Sequence, residues 1–376
     1  MPLARQTFQL CEKCAERQGM ESAPFEIVEG RGCFVCQGMM DTTGRIAEMA
    51  ARSARRYQFR TFAVGVTVPE GVQEKEDELR SVLKLKGKET IKIQAARLVA
   101  SQVSDRLRKR VDRQRPDLTL LADFGAGDVS VTARPVFYYG RYTKPAGISQ
   151  RRSFCEQCRG AGCKKCDNTG FERKPSVEGA LRTKLADFSG SQKMTFTWLG
   201  SEDRESRVYP PGRPFVAEVK NPRKRSFPRK FGARLGGGLV SVSSGRTLPS
   251  KPIHLPAFRF VTRIRATTAS RVSTEGLAEL KLRFKRAAVR FDRPHNRPTV
   301  KTVYRASAKA KGRTLMIEAE LDGGLPVKRF VSGELVSPSV SEVLKTEVGC
   351  RSFDICGVRE IGKFGFAEIT RGEEKN

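Results

Sequence analysis

The chain has 376 residues, a soft prior for two or three domains, and its 38% apolar content is enough for packed cores and excludes wholesale disorder. Against 41 Asp and Glu stand 71 Lys and Arg, a formal charge of +30 spread along the whole chain. That surplus points to a polyanionic partner, because each neutralised phosphate releases counterions. No apolar run approaches the roughly 20 residues that span a bilayer, and MPLARQTFQL at the start has no apolar signal core, so the expectation is a soluble cytoplasmic protein with no membrane partner.

In chain order, residues 1–40 hold two CxxC pairs around a polar loop and are predicted to be a four-cysteine, zinc-ribbon-like unit, too small to fold without its metal. Residues 41–150 read as mixed α and β. Helices are expected over 45–56, 74–85 and 90–111, the last with Ile91, Ala95, Leu98, Val99, Val103 and Leu107 on one face. Strands are expected over 61–69, 118–122 and 129–139. Residues 151–172 form a second compact cysteine-rich unit. The remainder, 173–376, is mostly strands and turns: a basic Gly-rich loop over 222–238, a Pro-rich extended crossing over 248–256, strands over 258–267, 300–310 and 314–321, a short helix over 339–348 and a strand over 350–358.

Eight of the ten cysteines fall in four CxxC pairs, and there are only two histidines. Zinc takes four ligands at tetrahedral angles and thiolate is a preferred donor, so two CxxC pairs complete a site. We group Cys11, Cys14, Cys33 and Cys36 in one site and Cys155, Cys158, Cys163 and Cys166 in another; spacing alone leaves a swapped pairing open. No βαβ pattern surrounds any CxxC, which disfavours a thioredoxin-like redox role, and closed four-thiolate sites are structural rather than catalytic. Cys350 and Cys356 flank a strand-like run and are expected to be buried core cysteines.

Residues 196–225 read FTWLGSEDRESRVYPPGRPFVAEVKNPRKR. Glu202, Asp203 and Glu205 lie among Arg204, Arg207 and Arg213. Nearby cations favour an ionised carboxylate, which can act as a nucleophile, yet the same pattern is that of an ordinary surface ion cluster. The segment resembles the catalytic motif of the archaeal and eukaryotic tRNA pseudouridine synthases that act on uridines 54 and 55 of the T arm, the THUMP-containing Pus-ten family. Gly200, Glu202, Asp203, Arg207, Gly212-Arg213-Pro214-Phe215, Glu218 and Asn221-Pro222-Arg223 match it in order. The resemblance runs along nearly the whole chain: the N-terminal CxxC pairs, ETIK (89–92), RPD (115–117), YGRYTKPAGISQ (139–150), the CxxCxGxGCxxC unit, SVEGAL (176–181) and DGGLPVKRFVSGELVSPSVSEVL (322–344).

The resemblance implies an α+β fold: an N-terminal four-cysteine zinc unit (1–40), a THUMP-like α/β RNA-binding domain (41–150), a second four-cysteine unit (151–172) and a mixed-sheet pseudouridine synthase catalytic domain (173–376). It implies an isomerase acting on the T arm of tRNA as a monomer, with structural zinc and no organic cofactor. Asp203 is the implied catalytic aspartate, either the nucleophile at the sugar C1′ or the base that takes the C2′ proton, and Lys328 its basic partner. Phe260 and Pro326 fall where the family has substrate-contacting tyrosines; if Phe260 is a core residue, Tyr209 or Tyr304 takes its place. Arg207 and Arg213 are expected to bind substrate, Arg213, Arg223, Lys224 and Arg225 to grip phosphates near the site, and Lys92, Arg141 and Lys144 to hold the tRNA further away. Ser201 stands where the family has Arg, Glu205 where it has Asp, and the Arg expected after VSGE is missing. Ser201, Phe260 and Pro326 motivate a second reading, a catalytically impaired RNA-binding zinc protein. A third, a zinc chaperone-like module suggested by CRGAGCKKC, lacks the J-type helix pair and the repeated CxxCxGxG.

Overall fold

The computed structural model describes residues 7–19, 25–293 and 296–366. Contacts divide them into two compact units: the described residues up to Pro135 with Lys220–Arg225, and Val136–Val219 with the described residues from Ser226 onward. Both mix α and β, as expected.

In the first unit a four-stranded sheet runs in the order Arg110–Val111, Thr61–Thr67, Leu118–Asp123, Asp128–Ala133. Thr61–Thr67 is parallel to both its neighbours and the last pair is antiparallel. Helices Thr43–Ala54 and Ile91–Leu107 bury Ile46, Ala47, Ala50, Ala95, Val99 and Val103 against Phe62, Leu118, Leu120 and Ala122. The second helix stops short of the expected 111, because Arg108 takes a left-handed backbone and the chain enters a short strand. The expected strand over 129–139 is two strands, Asp128–Ala133 and Val136–Lys144, one in each unit. Pro135 has no N–H to give a ladder, which separates them.

The core of this unit takes in Cys11, Cys14, Cys33 and Cys36. On the helix Glu12–Gln18, the Arg17 side chain is wholly buried. Its Nε donates to Glu76 Oε1 (2.6 Å), Nη1 to Gln94 Oε1 (2.6 Å) and Nη2 to Cys14 Sγ (3.4 Å). The other Glu76 oxygen accepts from the Ile91 amide at 2.9 Å, where a helix begins. A buried guanidinium needs such a full set of acceptors. In Lys220–Arg225, Asn221 Oδ1 accepts from the Ala133 amide (2.7 Å), and Arg225 donates to the Arg134 carbonyl (2.7 Å) and lies 3.7 Å from Asp117. Arg225 is therefore an internal residue of this unit, not the phosphate grip expected of it; Arg223 and Lys224 are exposed.

The second unit is built on an eleven-stranded sheet. Across it lie Phe231–Leu235, Gly238–Leu248, Val136–Lys144, Val208–Val219, Val348–Ile361, Ala257–Thr268, Thr314–Asp322, Asn296–Lys311, Ala287–Arg293 and Val336–Ser337, with Met194–Trp198 also paired to Val208–Val219. Neighbours are antiparallel except Val208–Val219 and Val348–Ile361, which run parallel and pair at one register, Val208 with Ile355. Helices Val177–Ser189 and Thr274–Arg283 pack on the core through Leu181, Leu185 and Leu280. Part of the expected loop over 222–238 is a strand: Phe231, Ala233 and Leu235 alternate toward the core, a period-two pattern hidden among basic and Gly residues. Thr274–Arg283 was not expected, because its few apolar residues sit among lysines and arginines. Among the described residues no helix is long and apolar enough to cross a membrane.

Arg17→Ala should leave the buried Glu76 with only Arg80, 3.4 Å away, as its cation and destabilise the first unit by about 1–3 kcal/mol. Denaturant unfolding of the variant, with the conservative Glu76→Gln beside it, measures this, and a loss below 1 kcal/mol would contradict it.

Candidate active site

Asp203 sits on the loop between Met194–Trp198 and Val208–Val219. The loop is shaped from its first residues. Gly200 has φ 90°, and a Cβ there would lie 2.1 Å from Arg213 Nη2, so only glycine fits. Glu202 turns inward, its side chain 0% exposed beside an Arg213 side chain 5% exposed, with Oε2 3.1 Å from Arg213 Nη1. Tyr142 donates to Glu202 Oε1 (2.6 Å), and Gln150 Nε2 to Glu202 Oε2 (3.0 Å), the Tyr142 hydroxyl (2.8 Å) and the Gly200 carbonyl (3.1 Å). Burial pushes the Tyr142 phenol well above its ordinary value, so it keeps the proton it donates. Arg213 Nε donates to the Leu199 carbonyl (3.2 Å), and its guanidinium lies over the Phe260 ring, 4.8 Å from the centroid.

The far side of the loop is held by Lys144, which is buried. Its ammonium donates to the carbonyls of Ile148 (2.8 Å), Asp203 (3.1 Å), Arg204 (3.1 Å) and Ser206. Burial pushes Lys144 below its ordinary value, opposed by the charges of Glu202, Glu205 and Asp203. The loop exits at Arg207, whose amide donates to Asp354 Oδ1 (2.9 Å) and whose carbonyl accepts from the Ile355 amide (2.9 Å). Asp354 is in turn paired with Arg265 at 3.1 Å.

This scaffold faces a cleft of about 760 Å³. Asp203, Lys328, Phe260, Pro326 and Arg213 all line it, with Trp198, Ser201, Thr262 and Leu325. Asp203 Oδ2 is 2.8 Å from Lys328 Nζ, the two side chains being 38% and 55% exposed. Lys328 is the second residue of the helix Val327–Ser332, which Pro326 caps. Its bond to Asp203 holds the ammonium above its ordinary value. Arg207 is outside: its side chain is exposed and not part of the cleft wall.

Several cations differ from expectation. Lys144 is a buried clamp on carbonyls, and Arg141 is paired with Glu360 at 3.1 Å, so neither is a free tRNA grip. Arg213 lines the cleft from a buried position, its charge met by Glu202 rather than open to solvent. Phe260 is a core residue, 5% exposed, yet of the three aromatic alternatives it is the one that lines the cleft; Tyr304 donates to Asp322 (2.8 Å) under Arg259, and Tyr209 lies elsewhere on the surface, so neither tyrosine takes its place. Sequence reasoning missed Trp198, half-buried on the cleft wall and stacked on Phe196 at 5.4 Å. Its signal was its place two residues before Gly200. Cys350 and Cys356 are half-buried, not core; burial pushes the Cys350 thiol up to about 11.

Each of the two cysteine groups brings four Sγ atoms within 4.8 Å of one another: Cys11, Cys14, Cys33, Cys36 and Cys155, Cys158, Cys163, Cys166. No pairing is swapped. A tetrahedron of about 2.3 Å Zn–S bonds has edges near 3.8 Å. The separations fit that: 3.6 Å for Cys11–Cys36, 3.9 Å for Cys155–Cys163, and 3.7 Å for Cys158–Cys166 and Cys163–Cys166. Amides turn toward the sulfurs, Gly162 N to Cys158 and Gly170 N to Cys166, both at 3.3 Å. Either group could hold a metal ion.

Two family descriptions match, "Pus10 THUMP domain, archaeal" over residues 46–123 and "Pus10, C-terminal" over residues 137–246. The tRNA pseudouridine synthase Pus10 of Cenarchaeum symbiosum (strain A) is 32% identical over 338 residues, covering 87% of this chain and 83% of the relative. The chain belongs to the Pus10 family. It is thus a pseudouridine synthase, an isomerase, and its four-stranded sheet with two helices is a THUMP domain. The Pus10 of Nitrosopumilus maritimus (strain SCM1) is 29% identical over 323 residues, 86% of this chain and 84% of the relative. A chain of the structure titled "Crystal Structure of a Cbf5-Nop10-Gar1 Complex" matches with TM-score 0.30 and 10% identity, over 49% of this chain and 45% of that one, too low to carry the comparison further. Family membership bears out the resemblance read from the motifs.

Glu202→Ala should strip the buried Arg213 of its counter-charge and lower stability by about 3–5 kcal/mol. Glu205→Ala, at an exposed position in the same acidic cluster, should stay within about 0.5 kcal/mol. Equal unfolding midpoints for the two variants would refute the assignment of Glu202 as the anchor.

Proposed function

We propose that this enzyme isomerises uridine 54, uridine 55 or both in the T arm of tRNA, with Asp203 as its nucleophile. The observation that carries this is the Asp203–Lys328 pair at 2.8 Å in the cleft. In the reaction the N1–C1′ bond breaks, the uracil turns, and a C5–C1′ bond forms; C5 loses a proton and N1 gains one, so no redox cofactor is needed. The Asp203 carboxylate attacks C1′ and later leaves it. The attack requires a carboxylate, and the Lys328 ammonium holds that carboxylate at the cleft. A uridine inside a folded arm has to leave its stack at a cost of a few kcal/mol. The Phe260 ring and Pro326 receive the base, Arg213 orients Phe260 from behind, and Arg207, exposed beyond the cleft, meets a phosphate.

In domain terms we read 1–40 and 151–172 as zinc units, 41–150 as the region that holds tRNA, and 173–376 as the catalytic body, to which Tyr142, Lys144 and Gln150 contribute from the end of the second. Each four-cysteine group takes one zinc ion, which supplies a cross-link between chain segments and no catalytic step. Nothing in the chemistry calls for a second subunit, and we take the enzyme to act as a monomer in the cytoplasm.

Asp203→Asn should abolish pseudouridine formation on a tRNA transcript, mapped by position, while leaving tRNA affinity nearly unchanged. Turnover by that variant would sink the assignment, and binding without product by the wild-type protein would favour the non-catalytic reading. Metal analysis of the native protein should find two zinc ions per chain, and chelation should lower its unfolding midpoint; a metal-free, equally stable protein would overturn the zinc reading.

A further inference from the structure

The second cysteine unit carries a feature that neither the cleft nor the metal site uses. Phe154 is 63% exposed, yet its ring has a stacking partner. One face stacks on Phe171, with centroids 5.1 Å apart and planes 21° apart. The Arg152 guanidinium lies 3.6 Å from the Phe171 ring centroid and is itself paired with Glu178 at 3.5 Å. The result is a cluster of guanidinium, ring and ring in which Phe154 keeps most of its surface in solvent. The backbone fixes it: Phe154 and Phe171 form a β-bridge, with Cys155 N donating to the Gly170 carbonyl and Glu172 N to the Ser153 carbonyl, both at 2.9 Å. Gly160, with φ 105°, runs along one ring edge, where a Cβ would come 3.1 Å from the ring.

A single exposed Phe on a surface is ordinary. One that belongs to such a cluster beside cations is not. Arg159, Lys164 and Lys165 on the same small unit are exposed, and no salt bridge neutralises them among the described residues. An apolar protein partner would have to desolvate those charges; a strand of RNA brings phosphates to them and an aromatic base to the ring. We propose that Phe154 is a stacking platform for an unpaired nucleobase of bound RNA, separate from the catalytic cleft. The base stacks on the Phe154 ring, and Arg159, Lys164 and Lys165 hold the neighbouring phosphates. Every base has a π-face, so the site selects unpaired nucleotides and not a sequence.

The test is binding of the full-length, metal-loaded protein to a short labelled oligouridylate and to an abasic oligomer of the same length and charge. Base contacts in the cleft are common to all variants. Phe154→Ala should weaken oligouridylate binding by roughly 5- to 150-fold and leave abasic binding unchanged. Phe154→Leu keeps apolar bulk without a π-face and should lose as much, whereas Phe154→Trp should retain affinity. Zinc content, measured on each variant, reports whether the unit stays folded. Unchanged affinity in Phe154→Ala, full affinity in Phe154→Leu, or equal losses on both oligomers with zinc retained would each overturn the proposal. So would a wild-type dimer that Phe154→Ala dissociates in sedimentation, since the face would then be covered by a second copy.

Discussion

The buried ion pair between Glu202 and Arg213 is the constraint on which the site depends. A carboxylate and a guanidinium taken out of water are tolerable only if nearly every donor and acceptor is met. Tyr142 and Gln150 meet the carboxylate and the Leu199 carbonyl meets Arg213 Nε, each from a different stretch of chain. Satisfying one pair therefore fixes the strand Val136–Lys144, the start of the loop and the strand that follows it. With Glu202 locked inward, Asp203 is turned outward to the cleft, where it meets a single ammonium at 2.8 Å. Two adjacent carboxylates on the wall of one cleft thus differ in environment, Glu202 with its side chain 0% exposed and Asp203 with its side chain 38% exposed.

What was legible in the sequence followed from periodicity and spacing. The helices Thr43–Ala54 and Ile91–Leu107, the long strands Ala257–Thr268 and Thr314–Asp322, and both cysteine groups lie close to where their patterns put them. The strand Phe231–Leu235 was obscured because its inward residues, Phe231, Ala233 and Leu235, alternate with Gly and Arg in a stretch whose composition says loop. The break at Pro135 was available and overlooked: a proline in a continuous strand is a warning that the ladder stops. In the site, the motif located Asp203, Lys328, Phe260, Pro326 and Arg213 on one cleft. It could not say which cations are solvated.

That last failure has one physical origin. A basic residue reads the same in sequence whether it faces phosphate or carbonyl. Arg17 serves Glu76, Gln94 and a cysteine sulfur; Arg225 serves Asp117 and a carbonyl; Lys144 serves four carbonyls. The surplus of positive charge is large enough to suggest that every cation is spare. Among the most telling ones it is the exceptions, paired inside the protein, that shape the two units.

The Lys144 clamp has a consequence for how the loop can change over evolutionary time. It grips Asp203, Arg204 and Ser206 by their peptide oxygens, which every amino acid possesses. The grip is blind to side-chain identity, so an exchange at the exposed Glu205 leaves these bonds in place. The side chain at position 205 can change in character around a stationary reactive group, because the hold on the loop is made through peptide oxygens on either side of it.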